Sequence, residues 1–249
     1  EFHAYQFKPL FKFLNSDRNR ILIADEVGLG KTIEAGYILR EQKARFDIDR
    51  TLVVCPAALR QKWQVELATR FGEQFEIYTA PTLRAWITRD DGRKRLQGIV
   101  SIQTLRSENL MEQMEQRTPP LDLLIVDEAH HCRNRETAQH RAVRQLCIAS
   151  DAILFLTVTP LHLSNQDLFN LLYLLLPENF YRIDVFEERL RVNEHIVRAE
   201  TVLRSPSPDR VRAAAESVRR AAAGADPFRF RDNKTYARVL ERLEHCGAT

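Results

Sequence analysis

The sequence predicts a three-layer α/β domain with a mainly parallel sheet, followed by a helical extension. Short apolar runs alternate with segments of helical spacing as far as Pro160. Several runs, such as "TLVVCP" and "LDLLIVDE", are continuously apolar, as expected of parallel strands covered on both faces. No strand pattern is evident beyond Pro177. We therefore expect right-handed crossovers around one sheet in residues 1–178, and helices alone in residues 179–249.

The individual elements follow from the apolar runs and from the helical spacing between them. The predicted strands are Arg20–Asp25, Thr51–Pro56, Phe75–Ala80, Gly98–Thr104, Leu121–Asp127 and Ala152–Thr159. The predicted helices between them are Thr32–Arg45, Leu59–Phe71, a stretch near Leu83–Arg89, Arg106–Gln116 and Thr137–Ile148. An apolar helix follows in "NQDLFNLLYLLLP", and the extension contains Val185–Leu203, Asp209–Ala223 and Asn233–His245. The alanine-rich "AAAESVRRAAAGA" is open to a second interpretation as a flexible linker.

The composition excludes several classes of protein. The 249 residues are 44% hydrophobic with a net charge of +3, and no apolar run approaches the roughly 18 residues that span a bilayer. The four cysteines lack C-x-x-C spacing, which favours free thiols in a reducing cytoplasm. His130, His131, Cys132 and His140 contain zinc-ligand atoms, but adjacent ligands in one run do not match usual zinc spacing. The chain begins with Glu1, so we expect it to be part of a longer protein.

The stretch "ILIADEVGLGKTIEAG", residues 21–36, places a glycine-rich turn between a predicted strand and a predicted helix. Such a turn directs backbone N–H groups and a helix N-terminus toward one point, which is an arrangement that binds phosphate. Lys31 would contact the β- and γ-phosphates of a nucleotide, and the Thr32 hydroxyl would join the shell of a Mg²⁺ ion. Gly28 and Gly30 would supply unusual dihedral angles and close backbone approach.

A second predicted strand ends in two acids, in "LLIVDEAH". Asp127 would hold Mg²⁺, directly or through water, and Glu128 would orient and polarise an attacking water molecule. Carboxylates at the carboxyl ends of parallel strands face the crevice where open α/β sheets bind ligands. The next strand ends in "FLTVTP", whose hydroxyl groups at Thr157 and Thr159 could bond the acidic loop and couple the γ-phosphate to other parts of the protein.

Together these residues resemble the superfamily-two helicase-like ATPases of Swi/Snf type. The first motif of that family is similar to "ADEVGLGKTIEAG", in which an Asp, here Asp25, commonly replaces the first glycine. The wording "VGLGKTIEAG" and "LTVTPLHLSNQDLFNLLYLLLPE" is most similar to the bacterial RapA/HepA-like branch. The resemblance implies a first RecA-like lobe that uses ATP and Mg²⁺. The residues of the motif that would surround the nucleotide are Gly28, Leu29, Gly30, Lys31, Thr32 and Ile33.

Three further stretches extend the resemblance over about residues 3–180. "HAYQFKPLFKFL" resembles the Q-motif helix, so that Gln6 would contact the adenine edge. "TLVVCPAALRQKWQVEL" and "GIVSIQTLR" are similar to motifs Ia and Ib, which implies phosphate-backbone contacts without sequence readout. The residues implied are Pro56, Lys62, Trp63, Gln103 and Thr104. An ordinary amphipathic helix explains Lys62 and Trp63 as well, and the arginines at 133, 135, 141 and 144 are interpreted as a solvated helix face.

The resemblance implies double-stranded DNA as the partner, along which family members mostly translocate without unwinding it, displacing or remodelling bound protein. It also implies a second RecA-like lobe, which supplies an arginine finger and half of the DNA track. Residues 177–249 contain nothing similar to that lobe, so we expect this chain alone to bind ATP weakly and hydrolyse it poorly. Two other interpretations remain: an RNA helicase of the DEAH type, and a non-catalytic interaction module that uses ATP as a structural ligand.

Overall fold

The computed structural model describes residues 4–25, 30–89, 95–157, 164–223 and 233–247. Within these ranges the chain divides into two compact units, Glu1–Asn179 and Phe180–Thr249. The first contains every described strand, and the second contains helices only. No helix in the described ranges combines the length and the apolar character that crossing a bilayer requires.

The first unit is built on a six-stranded sheet in the order β1-β6-β5-β2-β4-β3, in which all described pairs of strands are parallel. This confirms the predicted α/β class and the parallel sheet. The strands are β1 (Arg20–Ala24), β2 (Arg50–Cys55), β3 (Glu76–Tyr78), β4 (Leu96–Ser101), β5 (Leu121–Val126) and β6 (Ser150–Thr157).

The predicted helices form in the expected order. A 3₁₀ turn (Ala4–Phe7) precedes the first of them. The helices of this unit are α1 (Lys8–Leu14), α2 (Lys31–Phe46), α3 (Arg60–Phe71), α4 (Ala80–Arg89), α5 (Glu108–Gln116), α6 (Ala138–Ile148) and α7 (Asn165–Leu175).

Helices cover both faces of the sheet. The central strands are apolar at successive positions, so each strand presents apolar side chains to both faces. In β2, Leu52 and Val54 belong to one core cluster, while Val53 and Cys55 belong to the other. The first cluster includes residues of α4, α5, α6 and α7, and the second includes residues of α1, α2 and α3. Side chains of neighbouring strand residues point to opposite faces, so continuous apolar runs produce three layers.

Two predicted strands, those of β3 and β4, extend two and three residues beyond the carboxyl ends of the observed strands. β3 has only three residues, and Ala80, expected in that strand, instead begins α4. β4 ends at Ser101 rather than at Thr104, because the Ser101 hydroxyl accepts a hydrogen bond from the main-chain N–H of Thr104 at 2.9 Å. This side-chain contact closes a turn, and a 3₁₀ helix (Thr104–Arg106) follows where the sequence pattern suggested more strand.

The second unit consists of α8 (Ile183–Leu203), α9 (Arg210–Ala221) and α10 (Lys234–Gly247). Ala199, Ala214 and Val218 form its small core, against which Tyr236 and Leu240 of α10 pack. The alanine-rich segment is thus helical over Arg210–Ala221, because its alanines are buried against a neighbouring helix. The alternative interpretation of this segment as a flexible linker is wrong for Arg210–Ala221.

Candidate functional site

The predicted site segments lie along one edge of the sheet, at the carboxyl ends of its parallel strands. In the strand order, the phosphate loop follows β1, Thr157 ends β6, Asp127 follows β5, Pro56 follows β2, and Gln103 lies just beyond β4. The register pairs the last residue of β1 directly with Thr157. Open α/β sheets bind ligands at this edge, so one crevice can hold all of these groups.

Gly30 occupies a position that only glycine fits. Its φ of 95° lies in the left-handed region, and a Cβ built there would lie 2.5 Å from Nε2 of Gln6. Gln6 is 4% exposed and its amide lies beside Gly30, although the two residues are far apart in the sequence. Gly28 and Leu29, which were expected to surround the nucleotide, lie outside the described residues.

Lys31 and Thr32 form the first turn of α2, which begins one residue earlier than expected. The ammonium group of Lys31 donates to the main-chain oxygen of Asp25 at 2.9 Å. Ile33 follows, with its main-chain N–H donating to the oxygen of Gly30 at 2.8 Å. The lysine is therefore held at the loop that it was predicted to serve, and the positive end of the α2 dipole lies at the same place.

Glu34 is an acid in the first turn of α2 to which the sequence interpretation assigned no role. Its side chain is 1% exposed, and burial, followed by the charge of Asp25, raises its pKa from 4.5 to about 7, against the opposing effect of Lys31. Both carboxyl oxygens lack a geometrically defined hydrogen bond within the described residues, although the Asp25 carboxyl is near enough to add to the shift. Glu34 is therefore an uncharged or half-charged group beside the lysine near neutral pH.

Asp127 is 6% exposed, and hydrogen bonds hold its main chain and both of its carboxylate oxygens. Its main-chain N–H donates to the oxygen of Val54 at 2.7 Å, and its Oδ1 accepts from the N–H of Glu128 at 2.9 Å. Its Oδ2 accepts from Nε1 of Trp63 at 2.8 Å. Burial raises the pKa of this carboxyl, while the Trp63 hydrogen bond and the charge of Lys31 oppose that effect. The carboxylate can complete a Mg²⁺ shell with its remaining lone pairs.

Glu128 has a left-handed backbone, with φ of 50° and ψ of 46°, which is uncommon for a residue with a side chain. Its Oε2 atom is buried and accepts no hydrogen bond within the described residues, but it lies 3.3 Å from Nδ1 of His130. A buried carboxylate oxygen with spare capacity fits the predicted task of orienting a water molecule.

His130 is the group that links this acid to the next strand. Its Nδ1 lies 3.3 Å from Oγ1 of Thr157, which is fully buried at the end of β6. Burial, followed by the charges of His131 and Arg133, lowers the pKa of His130, so the ring is neutral near pH 7. The expected contact between Thr157 and the acidic loop therefore runs through a histidine. Thr159, the other expected coupling residue, lies outside the described residues.

The loop after Glu128 is anchored by two helices. Nδ1 of His140 in α6 lies 2.7 Å from the main-chain oxygen of Cys132, and Nδ2 of Asn170 in α7 donates to the oxygen of Arg133 at 2.9 Å. The guanidinium of Arg135 stacks over Tyr173 of α7, 4.3 Å from its ring centroid. Arg133 and Arg135 are exposed but lie before α6 and contact α7, so the predicted helix face is wrong for these two, whereas Arg141 and Arg144 lie exposed on α6 as predicted. No pattern in the sequence predicted the contact that Asn170 makes with this loop.

The predicted nucleic-acid residues meet on the other half of the same edge. The side-chain oxygen of Gln103 accepts from the main-chain N–H of Ala57 at 3.1 Å, which joins the segment after β2 to the segment after β4. Thr104 shares a hydrogen bond with the Ser101 hydroxyl at 2.7 Å. Lys62 is exposed on α3, two residues into the helix. Gln103 thus lies beside the segment that follows Pro56, and Lys62 lies on the helix after that segment.

Trp63 is not exposed beside Lys62. Its side chain is 2% exposed, packs in the core, and donates its indole hydrogen to Asp127. The expectation of a phosphate-backbone contact at Trp63 is therefore wrong, because α3 turns this side chain inward while its neighbour Lys62 points outward. Residues that are adjacent on a helix lie about 100° apart around its axis, which separates the two roles.

Comparison with known proteins identifies the group to which this arrangement belongs. A family model described as "SNF2-related domain" matches residues 5–234. The fold is similar to a Sulfolobus solfataricus SWI2/SNF2 ATPase core in complex with dsDNA, with a TM-score of 0.59 and 16% identity over 98% of this chain. It is also similar to a Sulfolobus solfataricus SWI2/SNF2 ATPase core domain, with a TM-score of 0.56 and 23% identity over 76% of this chain. The matches cover 64% and 38% of those chains.

Proposed function

Because the chain belongs to the SNF2-related domain family, we propose that it is the ATP-binding lobe of a motor that translocates along double-stranded DNA and displaces or remodels bound protein. One observation carries the proposal. The residues predicted to bind nucleotide follow β1, β6 and β5 at the carboxyl edge of the sheet, and those predicted to contact nucleic acid follow β2 and β4 at the same edge. A single crevice thus suits both ligands.

The phosphate groups of ATP are assigned to the start of α2. The N–H groups at this helix end and the ammonium of Lys31 would bind phosphate oxygens, and Gly30 leaves room because it carries no Cβ. Lys31 now donates to the main-chain oxygen of Asp25, a neutral partner that phosphate would replace with a charged one. Gln6, buried beside Gly30, would accept and donate hydrogen bonds at the adenine edge.

Hydrolysis is assigned to the acids after β5. Thr32 and Asp127 would hold Mg²⁺, which when bound neutralises charge on the β- and γ-phosphate oxygens. Glu128 would orient the attacking water through its unbonded Oε2 atom. His130, neutral near pH 7, would keep that carboxylate oriented and report its position to Thr157.

Contact with the duplex is assigned to Pro56, Lys62, Gln103 and Thr104. Hydroxyl, ammonium and backbone N–H groups bind phosphate oxygens irrespective of base sequence, so binding would be salt-dependent and non-specific. The Sulfolobus solfataricus core that shares this fold was solved in complex with dsDNA, which is in keeping with this partner.

Finer assignments follow the wording of the motifs. The stretches "VGLGKTIEAG" and "LTVTPLHLSNQDLFNLLYLLLPE" favour the bacterial RapA/HepA-like branch, in a role such as transcription recycling or anti-phage defence. The motor would need a second RecA-like lobe to supply an arginine finger, since fingers of this kind raise phosphoryl-transfer rates by about 10³–10⁵. The helical residues 179–249 would then be an extension or an insertion between the lobes. Further proteins of a DNA-bound complex would be its targets.

The test measures ATP turnover by the complete protein, of which we expect this chain to be a part, with and without duplex DNA. We expect DNA to stimulate turnover, and Glu128→Gln to abolish turnover while ATP binding is retained. Glu136→Gln, a matched change at an exposed position eight residues along the chain, should have no effect. Turnover that survives in Glu128→Gln would show that the catalytic assignment is wrong.

Two other outcomes would favour the alternative functions. Stimulation by duplex RNA and not by duplex DNA would identify an RNA helicase of the DEAH type. ATP binding without turnover in the wild-type protein, under conditions where DNA is bound, would identify a non-catalytic module that uses ATP as a structural ligand.

A further inference from the structure

A buried hydrogen bond joins the helix of the predicted DNA surface to the predicted metal ligand. The indole Nε1 of Trp63 in α3 donates to Oδ2 of Asp127 at 2.8 Å, across 64 positions of sequence. Both side chains are buried, with 2% and 6% exposure. A hydrogen bond to a charged group is stronger when water is excluded, so this contact strongly constrains the carboxylate.

Among the described residues, Trp63 is the side chain from outside the acidic loop that donates a hydrogen bond to the Asp127 carboxylate. The main chain of Asp127 is held by Val54, and Oδ1 is held by the N–H of the next residue, Glu128. These two contacts belong to the sheet and to the acidic loop. Oδ2 is held by a side chain from another element, so a movement of α3 would change the orientation of this oxygen.

α3 is also the element most directly tied to the predicted nucleic-acid surface. It begins at Arg60, immediately after the turn Ala57–Leu59, and carries the exposed Lys62 next to Trp63. The turn is held to the segment after β4 by the hydrogen bond from the N–H of Ala57 to Gln103. A duplex that binds Lys62 and the turn would therefore bear on the same short helix that holds Trp63.

We infer that Trp63 is a positioning residue that transmits contact between duplex DNA and the start of α3 to the Mg²⁺-holding carboxylate of Asp127. Its indole N–H sets the Oδ2 direction, and the ring itself remains inside the core. The inference concerns the connection between the two ligand sites, and so it rests on the proposed function. A buried aromatic residue would thus link the predicted DNA-binding residues to the predicted nucleotide-binding residues.

The second tryptophan of the chain provides a comparison. The Nε1 atom of Trp86 in α4 is buried but donates no hydrogen bond within the described residues, and its ring lies near the guanidinium of Arg50. Trp86 packs without taking part in the site. Replacing either tryptophan with phenylalanine removes a buried indole N–H, but only at Trp63 does the change leave a carboxylate oxygen without its donor.

The first experiment measures binding of a fluorescent ATP analogue to Trp63→Phe and Trp86→Phe while the Mg²⁺ concentration is varied. We expect Trp63→Phe to need about 10-fold more Mg²⁺ or more for half-maximal binding, since loss of a partner behind a metal ligand typically costs 10–100-fold. Affinity without Mg²⁺ should not change, and Trp86→Phe should match the wild type. Equal Mg²⁺ dependence in a folded Trp63→Phe would overturn the link to Asp127.

The second experiment uses Trp63 as its own reporter. The chain has two tryptophans, so in Trp86→Phe all tryptophan fluorescence comes from Trp63. Adding Asp127→Asn should shift that emission in the absence of any ligand, and duplex DNA should shift it when Asp127 is present. This measurement is available even if Trp63→Phe does not fold. An emission that responds to neither change would overturn the inference.

The two proposals can fail separately. If DNA stimulates ATP turnover equally in wild type and in Trp63→Phe, the proposed motor survives and Trp63 has no coupling role. If wild-type turnover does not respond to DNA, the proposed function fails. A changed Mg²⁺ dependence in Trp63→Phe would then still establish the contact with Asp127 as a positioning contact, and the DNA half of the inference would be overturned.

Discussion

Nδ1 of His130 lies 3.3 Å from Oγ1 of Thr157, and the same nitrogen lies 3.3 Å from Oε2 of Glu128. One imidazole therefore touches both the candidate catalytic acid after β5 and the end of the neighbouring strand β6. The hydroxyl is fully buried, so it has no water to replace this contact. A change in the position of Glu128 during turnover would move the His130 ring and so alter its contact with Thr157.

We expect His130→Ala and Thr157→Val to act on the same step of turnover. Each should lower kcat with little change in the KM for ATP, and the double variant should be no slower than the more affected single variant. Contacting residues typically show coupling of about 0.5–3 kcal/mol in such cycles. The measurement is steady-state ATP turnover, with His245→Ala, an exposed histidine on α10, as the control. Strictly additive effects would mean that the two residues act independently.

Lys31→Ala should weaken ATP binding by at least about tenfold, because a hydrogen bond to a charged group typically contributes about 1.5–3 kcal/mol. Titration with a fluorescent ATP analogue in the presence of Mg²⁺ measures the affinity. Lys234→Ala, at the start of α10, removes an equal charge in the other unit and should leave the affinity unchanged. Full affinity in Lys31→Ala would remove the phosphate-loop assignment.

Glu34→Gln should alter the pH dependence of stability. Burial raises the folded-state pKa of Glu34 from 4.5 to about 7, so the folded protein holds a proton that the unfolded chain releases between these values. The wild type should therefore lose about 1–3 kcal/mol of unfolding free energy between pH 4.5 and 7 through this group. The glutamine variant should not show this loss.

The measurement for Glu34 is urea unfolding without nucleotide at pH 5 and at pH 8. The stability difference between Glu34→Gln and wild type should favour the variant more at pH 8. Glu41→Gln, on the same helix but partly exposed, serves as the control. If the difference for Glu34→Gln is the same at both pH values, the carboxyl is not protonated in the folded protein.

Lys62→Ala should weaken binding of duplex DNA equally for all base sequences. It should also reduce the slope of log K against log salt by about 0.9, the value for one phosphate contact on duplex DNA. Fluorescence anisotropy at several salt concentrations measures the slope, and the exposed Lys12→Ala on α1 is the control. An unchanged slope in Lys62→Ala would place the duplex elsewhere.

Gly36→Ala should destabilise the first unit by about 1–3 kcal/mol. A Cβ at this position would overlap the ring of Phe71, where α2 and α3 pack together. In a Phe71→Ala background the same change should cost little, because the ring is gone and alanine favours a helix over glycine by about 1 kcal/mol. Urea unfolding of the four variants measures this. An equal cost in both backgrounds would point to a clash other than Phe71.

The strands and helices could be predicted from the sequence because the patterns that indicate them involve residues close together in the chain. Continuous apolar runs such as "LDLLIVDE" predict buried parallel strands, and β5 and its neighbours formed with only small shifts of their ends. Errors occurred where a side chain redirected the backbone, as at Thr104, whose N–H bonds the Ser101 hydroxyl and closes a turn. Periodicity does not contain that information, since the pattern is the same whether the turn closes or the strand continues.

The same distinction separates the parts of the site. Lys31 and Thr32 lie in one contiguous stretch, and the acids of "LLIVDEAH" lie in another. The residue types within each stretch indicate its chemistry without knowledge of the tertiary structure. The interpretation of Trp63 failed because helical spacing says which residues share a face but not which face is buried. His130 received no catalytic role because its partners, Glu128 and Thr157, are brought together only by neighbouring strands.

The sequence by itself therefore determined the α/β class, the parallel strands and the candidate phosphate-binding and acidic stretches, because these depend on neighbouring residues. The tertiary structure alone decided which of these stretches are adjacent and through which atoms. The sheet order β1-β6-β5-β2-β4-β3 sets the phosphate loop, the acids and the predicted nucleic-acid residues side by side. Packing of α3 then buries Trp63 against Asp127, a contact made by residues that no short-range pattern relates.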